Sequence, residues 1–432
     1  LTQMLGMGVQ NFLSAATGIA VAFALMRGFS RHESSTIGCF AHDVIRITLW
    51  VLLPMCLTYA LFLVSQGVIQ NMSDYLTVTT LAGDSQSIAM GPVASQEAVK
   101  LLGTNGGGFF NVNSAHPFEN PTPLTNFLEA LAIFAIPTGL TYAFGRMVGH
   151  QREGWMLWQV MGALFVLAFT AFVYTESTGN PLLQAIGAEG LSWEGKDARF
   201  DLGALSLFST VTTSASCGAV AVMHDSLMPL SGMVTMVLMQ LGEVVFGGVG
   251  AGFYGMIVMA VIAVFIASLM VGRTPEYLGK KITPKEMKLA ALTMLTVPFI
   301  VLAGTGINLM LPGALESLNN PGAHGLSEIL YAWTSAANNN GSAFAGLNAN
   351  TAFYNIGLAI AMWLGRFIVI VLTLALAGTL ARERHVPSGK GTLDTASHLF
   401  AGLLIGVVLL VGALTYLPVL ALGPIAEMLS LL

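Results

Sequence analysis

Residues 325–346 read GLSEILYAWTSAANNNGSAFAG, a short apolar run that ends in small and amide side chains without charge. Residues 325–336 have room for about three helical turns, roughly 18 Å, against a hydrocarbon core of about 30 Å. A segment of that length dips into a membrane and turns back. Asn338, Asn339, Asn340 and Gly341 accept positive φ more readily than other residues, so the backbone after the half-helix can turn its carbonyl oxygens towards a common axis. Stacked carbonyls replace the hydration shell of a monovalent cation, and the half-helix aims the negative end of its dipole at the same place. Asn and Gly also make ordinary turns, so one such loop decides little.

The chain repeats the pattern. Residues 95–110 (SQEAVKLLGTNGGGFF) and 205–222 (LSLFSTVTTSASCGAVAV) are also helix-capable runs that end in small uncharged residues around a glycine, and each lies between long apolar segments. Recurrence of span, loop and span predicts copies arranged around one axis. Carboxylates, which a divalent site would recruit, are absent from the filter-forming ends of all three loops.

With 55% hydrophobic and 9% charged residues and a mean hydropathy of +0.74, the chain is an integral membrane protein and not a soluble enzyme. Cys39, Cys56 and Cys217 are scattered without a CxxC pair, so disulfides are not expected. The chain begins at Leu1. Its first apolar stretch carries Gln10 and Asn11 and lacks a small-residue cleavage site, so it reads as a true span in a chain missing its beginning.

Hydropathy predicts eight crossings, at about 5–26, 45–68, 126–144, 155–175, 230–271, 289–311, 353–377 and 399–420. Residues 229–271 would extend roughly 64 Å as one helix, so this segment is two spans or one broken span. Charge decides. If it crosses once, Arg27, Arg31, Arg46, Arg146, Arg152, Arg273, Lys280, Lys281, Lys285, Lys288, Arg382, Arg384 and Lys390 share one side, and only Lys100, Lys196, Arg199 and Arg366 of the 17 basic residues lie elsewhere. The positive-inside tendency makes that side cytoplasmic, with the three loops entering from the other. The break falls on GGVGAGFYG, where Gly247, Gly248, Gly250, Gly252 and Gly255 each weaken a helix by about 1 kcal/mol relative to alanine. Such a run serves either a gate or close helix packing.

Glu243 and Arg366 fall near mid-membrane, where an unpaired charge costs several kcal/mol. They form a structural ion pair, or Arg366 lies below the filter and hinders passive cation leak with Glu243 holding it in place; the two readings are compatible. The outer segments 69–95 and 176–201 carry Asp74, Asp84, Glu189, Glu194 and Asp201, as a solvated face or as a means of concentrating cations. There is no phosphate loop, no DKTG-type phosphorylation sequence and no close histidine ligand pattern, so no nucleotide or transition-metal site is expected.

Seven stretches then resemble one family in order from end to end: GPVASQEAVKLLGTNGGGFFN (91–111), HPFENPT (116–122), TTSASCGAV (212–220), QLGEVVFGGVG (240–250), GRTPEYLGKKI (272–282), SAANNNGSAFAGL (335–347) and LALGPIAE (420–427). They are similar to the potassium-binding, channel-like subunit of the bacterial Kdp P-type potassium pump. The resemblance implies an all-α integral membrane protein related to the Trk, Ktr and HKT transporters, with span–pore loop–span repeats around a pseudo-fourfold axis. It implies residues 1–27 as the second helix of repeat 1, 44–148 as repeat 2, 155–271 as repeat 3 with a broken helix, 288–380 as repeat 4 and 398–432 as a C-terminal span. Family members begin with a further span and a first pore loop, so one wall of the filter is missing here and the chain is expected to be a fragment.

The resemblance further implies a subunit that is not itself catalytic and binds no nucleotide. It would carry K+ through the bacterial inner membrane, with its pore loops facing the periplasm. Its partners would be a P-type ATPase catalytic subunit, a single-span accessory subunit and a small membrane peptide. Thr104, Asn105, Gly106, Gly107, Ser216, Cys217, Gly218, Asn339, Asn340 and Gly341 would form the filter. Glu243, Gly247, Gly248, Gly250 and Gly252 would form the gate, with Arg366 as the positive residue under the filter and Arg273 in the cytoplasmic loop that meets the ATPase subunit. The alternative is a standalone Trk-like secondary cation transporter, since broken helices and midplane sites mark those too.

Overall fold

Long apolar runs without a competing hydrogen-bond partner in lipid satisfy their backbone internally, as helices. The computed structural model describes residues 2–188, 190–387 and 392–431; Glu189 and Lys390 lie outside the described residues. Among them, eight helices are long and apolar enough to cross a membrane, at Thr2–Ser30, Phe40–Ser65, Pro123–Met147, Gln151–Ala185, Ala251–Met270, Pro284–Leu309, Ala352–Arg382 and His398–Leu431. Each covers one predicted crossing. In chain order we label α1 (Thr2–Ser30), α2 (Phe40–Ser65), α3 (Val93–Leu102), α4 (Pro123–Met147), α5 (Gln151–Ser177), α6 (Leu202–Ser214), α7 (Pro229–Gln240), α8 (Ala251–Met270), α9 (Pro284–Leu309), α10 (Gly322–Asn338), α11 (Ala352–Arg382) and α12 (His398–Leu420).

The short helices α3, α6 and α10 are the three predicted half-helices. Each lies between long spans, and most of the side chains of α3 and α6 are buried. Several start signals are legible. Asp201 accepts the Ala204 N–H to cap α6, and a Thr122–Thr125 capping box opens α4.

The fifth crossing is broken, and the break includes Gly247, Gly248 and Gly250 of the glycine run but begins before it and ends inside it. The chain leaves the helix after Gln240 and re-enters at Ala251, with left-handed backbone at Gly242 (φ 83°), Glu243 (φ 51°), Phe246 (φ 48°) and Gly250 (φ 89°). Gly252 and Gly255 lie inside α8. A Cβ on Gly252 would stand 2.3 Å from the Gly247 Cα, so this glycine permits close packing and does not break the helix. The two roles weighed for the run are therefore divided between its halves.

A second correction concerns the outer segment 69–95 and the loop after α8. Leu76–Thr79 pairs antiparallel with Ser85–Ile88, and Glu276–Tyr277 with Lys280–Lys281. The β-prone run LTVT is followed by a turn at 80–84, and outside the bilayer it has no helix to join. The membrane-embedded part is all-α.

One crossing, not two, is decided by what meets at the basic face. Lys280 Nζ donates to the Arg31 carbonyl at 2.5 Å and to the Glu383 carbonyl at 2.8 Å. The Val386 N–H reaches the Gly279 carbonyl, and the Ser34 N–H the Ala381 carbonyl. The connections after α1, α8 and α11 thus lie together, which two crossings between residues 229 and 271 would forbid. Lys280 is fully buried between the ends of α1 and α11, where helix dipoles favour a cation. Lys280→Met leaves those carbonyls without a donor and is expected to lower the thermal midpoint of the detergent-solubilised protein, whereas Lys281→Met, on the exposed neighbour, leaves it unchanged.

Candidate ion filter and the segment beneath it

The C-terminal ends of α3, α6 and α10 are built alike. Thr104, Ser216 and Asn339 have left-handed backbone, with φ of 50°, 54° and 61°. The next residue then donates back to the carbonyl five positions earlier: Asn105 to Lys100 at 2.8 Å, Cys217 to Thr212 at 3.1 Å and Asn340 to Ser335 at 2.9 Å. This is the Schellman closure of a helix end. It turns three different sequences, TNG, SCG and NNG, into one backbone shape.

The turned backbones meet at glycine. A Cβ on Gly106 would stand 2.0 Å from the Gly218 nitrogen, and one on Gly218 would stand 2.9 Å from the Gly341 carbonyl carbon. Gly106 (φ 67°) and Gly341 (φ 96°) also need glycine for their dihedrals, whereas Gly218 needs it for space alone. Gly107 (φ 86°) faces open space. Ser216 Oγ donates to the Asn339 carbonyl at 3.1 Å and ties two loops directly. Cys217 and Asn340 are buried as whole residues.

Hydroxyls hold two of the loops from behind. Thr212 Oγ1 donates to the Ala219 carbonyl at 2.5 Å and contacts the Cys217 carbonyl. Ser335 Oγ donates to the Ser342 carbonyl at 2.7 Å and accepts the Gly341 N–H at 3.1 Å. Sequence reasoning missed both residues. The signal was present, because each stands five positions before the middle residue of its SCG or NNG triplet, as Lys100 does before TNG in the first loop.

The non-helical segment 241–250 lies against these loops. Val249 donates its N–H to Thr104 Oγ1 at 3.0 Å, and a Cβ on Gly248 would stand 2.9 Å from the Ser216 Cβ. On its other side a Cβ on Gly250 would stand 2.0 Å from the Gly18 carbonyl oxygen of α1. Gly247 packs against its own turn, where a Cβ would stand 1.5 Å from the Glu243 carbonyl oxygen.

Next to the loops is a cavity of about 220 Å³ bounded by Gln10, Ser14, Thr104, Asn105, Ser216, Gly248, Asn339 and Arg366. Arg366 is the one charged residue in that lining. The expected Glu243–Arg366 ion pair is not formed. Arg366 Nη2 donates to Ser14 Oγ at 3.1 Å, and Glu243 Oε1 accepts from Asn340 Nδ2 at 2.9 Å. The break explains this, since left-handed backbone at Glu243 carries its side chain to Asn340 in the loop after α10. Arg273 is exposed in the connection after α8 and is not brought to this cluster.

The sequence matches, over residues 1–429, the family described as KdpA, the potassium-transporting ATPase A subunit. This chain belongs to the KdpA family. It is 60% identical to the potassium-transporting ATPase potassium-binding subunit of Methylibium petroleiphilum, a match covering 99% of this chain and 76% of that relative. It is 59% identical to the protein of the same description in Yersinia enterocolitica, again over 99% and 76%.

At the N-terminal end of α10, His324 of this KdpA chain joins three elements. Its Nε2 lies 2.8 Å from Asp225 and its Nδ1 2.8 Å from Glu427. Burial disfavours the charged ring, but hydrogen bonds to the two carboxylates outweigh it and push the His324 pKa up to about 10. A raised pKa contributes stability that is complete below the ordinary value of 6.5 and disappears as pH rises through about 10. The thermal midpoint is therefore expected to fall between pH 6.5 and pH 10, and His324→Gln to flatten that fall.

Proposed function

We propose that the three loops are three walls of a potassium filter built on main-chain carbonyls, through which this subunit takes K+ from the extracytoplasmic side and passes it to a P-type ATPase subunit. As a KdpA-family chain it is the potassium-binding and translocating subunit of the Kdp complex and is non-catalytic within it. Family membership favours the pump subunit over a standalone secondary transporter. The observation that carries the filter reading is the convergence of three uncharged backbones at Gly106, Gly218 and Gly341 beside a cavity whose one charged lining residue is Arg366.

Carbonyl dipoles suit a weakly hydrated monovalent cation, whereas a divalent ion recruits carboxylates. Two carboxylates come close to the loops: Glu243 accepts from the Asn340 side chain, and Glu119 accepts the Phe109 N–H beyond the Thr104–Gly107 turn. The equal end-caps of α3, α6 and α10 support equivalent repeats around a pseudo-fourfold, Trk-like axis, with residues 44–148, 155–271 and 288–380 as three of them. The basic face is then cytoplasmic and the loops face the periplasm. In this arrangement the segment 241–250 is the gate between filter and exit. The ATPase subunit is met on the cytoplasmic face at the loop holding Arg273, and a single-span subunit and a small membrane peptide complete the complex.

Two measurements test this reading. Gly218→Asp forces side-chain atoms into the Gly341 backbone and adds a carboxylate to the filter. It is expected to raise the K+ concentration for half-maximal ATP hydrolysis by the assembled complex by about tenfold or more, equivalent to about 1.4 kcal/mol of ion binding. An unchanged response contradicts the filter assignment. Arg366→Ala removes the positive charge beside the filter and is expected to allow uncoupled K+ flux in proteoliposomes without ATP, whereas tight vesicles would exclude the leak barrier.

A further inference from the structure

Thr212 and Ser335 hold the second and third filter loops through a single hydroxyl. The equivalent position in the first loop is Lys100, whose ammonium cannot accept a hydrogen bond and is not directed at the filter backbone. It is 1% exposed, and Glu97 and Glu119 beside it are fully buried. Lys100 Nζ lies 2.6 Å from Glu97 and 3.7 Å from Glu119.

Each member of this pair also holds one end of the loop. The Lys100 carbonyl accepts the N–H groups of Asn105 at 2.8 Å and Gly106 at 3.2 Å. A carboxylate oxygen of Glu119 accepts the Phe109 N–H, and its other oxygen is so close to Gly108 that a Cβ there would stand 2.8 Å away. Residues 105–109 are thus suspended between the two partners of one buried ion pair, and Glu97 fixes the lysine from behind.

We propose that Lys100 and Glu119 form a positioning brace that sets the carbonyl directions of the first filter loop, the charged counterpart of the Thr212 and Ser335 hydroxyl braces. Simple cohesion between α3 and the loop before α4 would not require four buried ionisable groups, Glu97, Lys100, Glu119 and Glu129, since an apolar cluster of similar volume is often as stable. A buried ion pair is, however, stiff and directional. It holds two segments separated by the filter itself, and the expected consequence of its loss is a misaligned loop. The brace rests on the filter reading above.

The test is K+-stimulated ATP hydrolysis by the complex purified with its partner subunits. Lys100→Met and Glu119→Leu are each expected to raise the half-stimulating K+ concentration about tenfold, as the loss of a charge-assisted hydrogen bond would, with the maximal rate within about twofold of wild type. Lys100→Arg, which keeps the charge, is expected to retain the wild-type response. The double variant should be no worse than the more affected single, because both changes disable one brace.

An unchanged half-stimulating concentration in assembled variants overturns the proposal, and so do losses that multiply in the double variant. If a single variant leaves a lone buried charge and does not assemble, the quadruple Glu97→Gln/Lys100→Met/Glu119→Leu/Glu129→Gln, which also replaces the fully buried Glu129 beside them, removes all four ionisable groups and is judged by the same shift. Gly218→Asp is the reference. If it too leaves the K+ response unchanged, the filter reading falls; if it shifts the response and the brace variants do not, only the brace falls.

Discussion

Everything in this structure depends on how a half-helix is ended inside a membrane. A helix terminus leaves carbonyls without partners, and in the absence of water each must be satisfied by protein or used to bind something else. At Thr104, Ser216 and Asn339 the chain solves this with one left-handed residue and a hydrogen bond back across five positions. That closure satisfies part of the helix end and sends the following backbone off sharply. Glycine follows because the turned strands of neighbouring loops come closer than a Cβ allows. In the proposed filter, ion chemistry is thus a by-product of helix capping repeated three times.

The broken crossing is a second consequence of the same constraint. Backbone that is not helical at membrane depth needs protein around it, and the segment 241–250 finds its partners at Thr104 and Ser216 in the loops on one side and at Gly18 of α1 on the other. Its position couples it to both. A shift of Gly248 cannot occur without changing its contact with Ser216, and a shift of Gly250 cannot occur without changing its contact with Gly18. Arg366 and Glu243 take separate partners, Ser14 and Asn340. Arg366 is therefore held in its cavity by α1, and Glu243 is tied to the loop after α10.

Much of this was legible in the sequence, and the misses have physical causes. Segment lengths alone separated half-helices from spans, since 30 Å of hydrocarbon admits no ambiguity at a dozen residues. The basic residues fixed the number of crossings through the glycine-rich segment. The bounds of the break were set too late because glycine content measures helix cost, whereas Glu243 and Phe246, ahead of or at the edge of the run, also have left-handed backbone. Gly252 shows the converse, a glycine kept inside a helix for packing. The Glu243–Arg366 pair was inferred from depth alone, and depth does not give direction. The braces at Lys100, Thr212 and Ser335 needed the three loops to be compared position by position, and there the differing side chains concealed a shared role.

The most direct test of the central claim is the location of a heavy potassium analogue, rubidium or thallium, by anomalous or density difference methods in the assembled complex. The account predicts a site coordinated by main-chain oxygens within residues 104–107, 216–218 and 339–341, with no carboxylate among its ligands. An ion bound instead to the Glu243 carboxylate, with the three loops empty at saturating concentration, would contradict it.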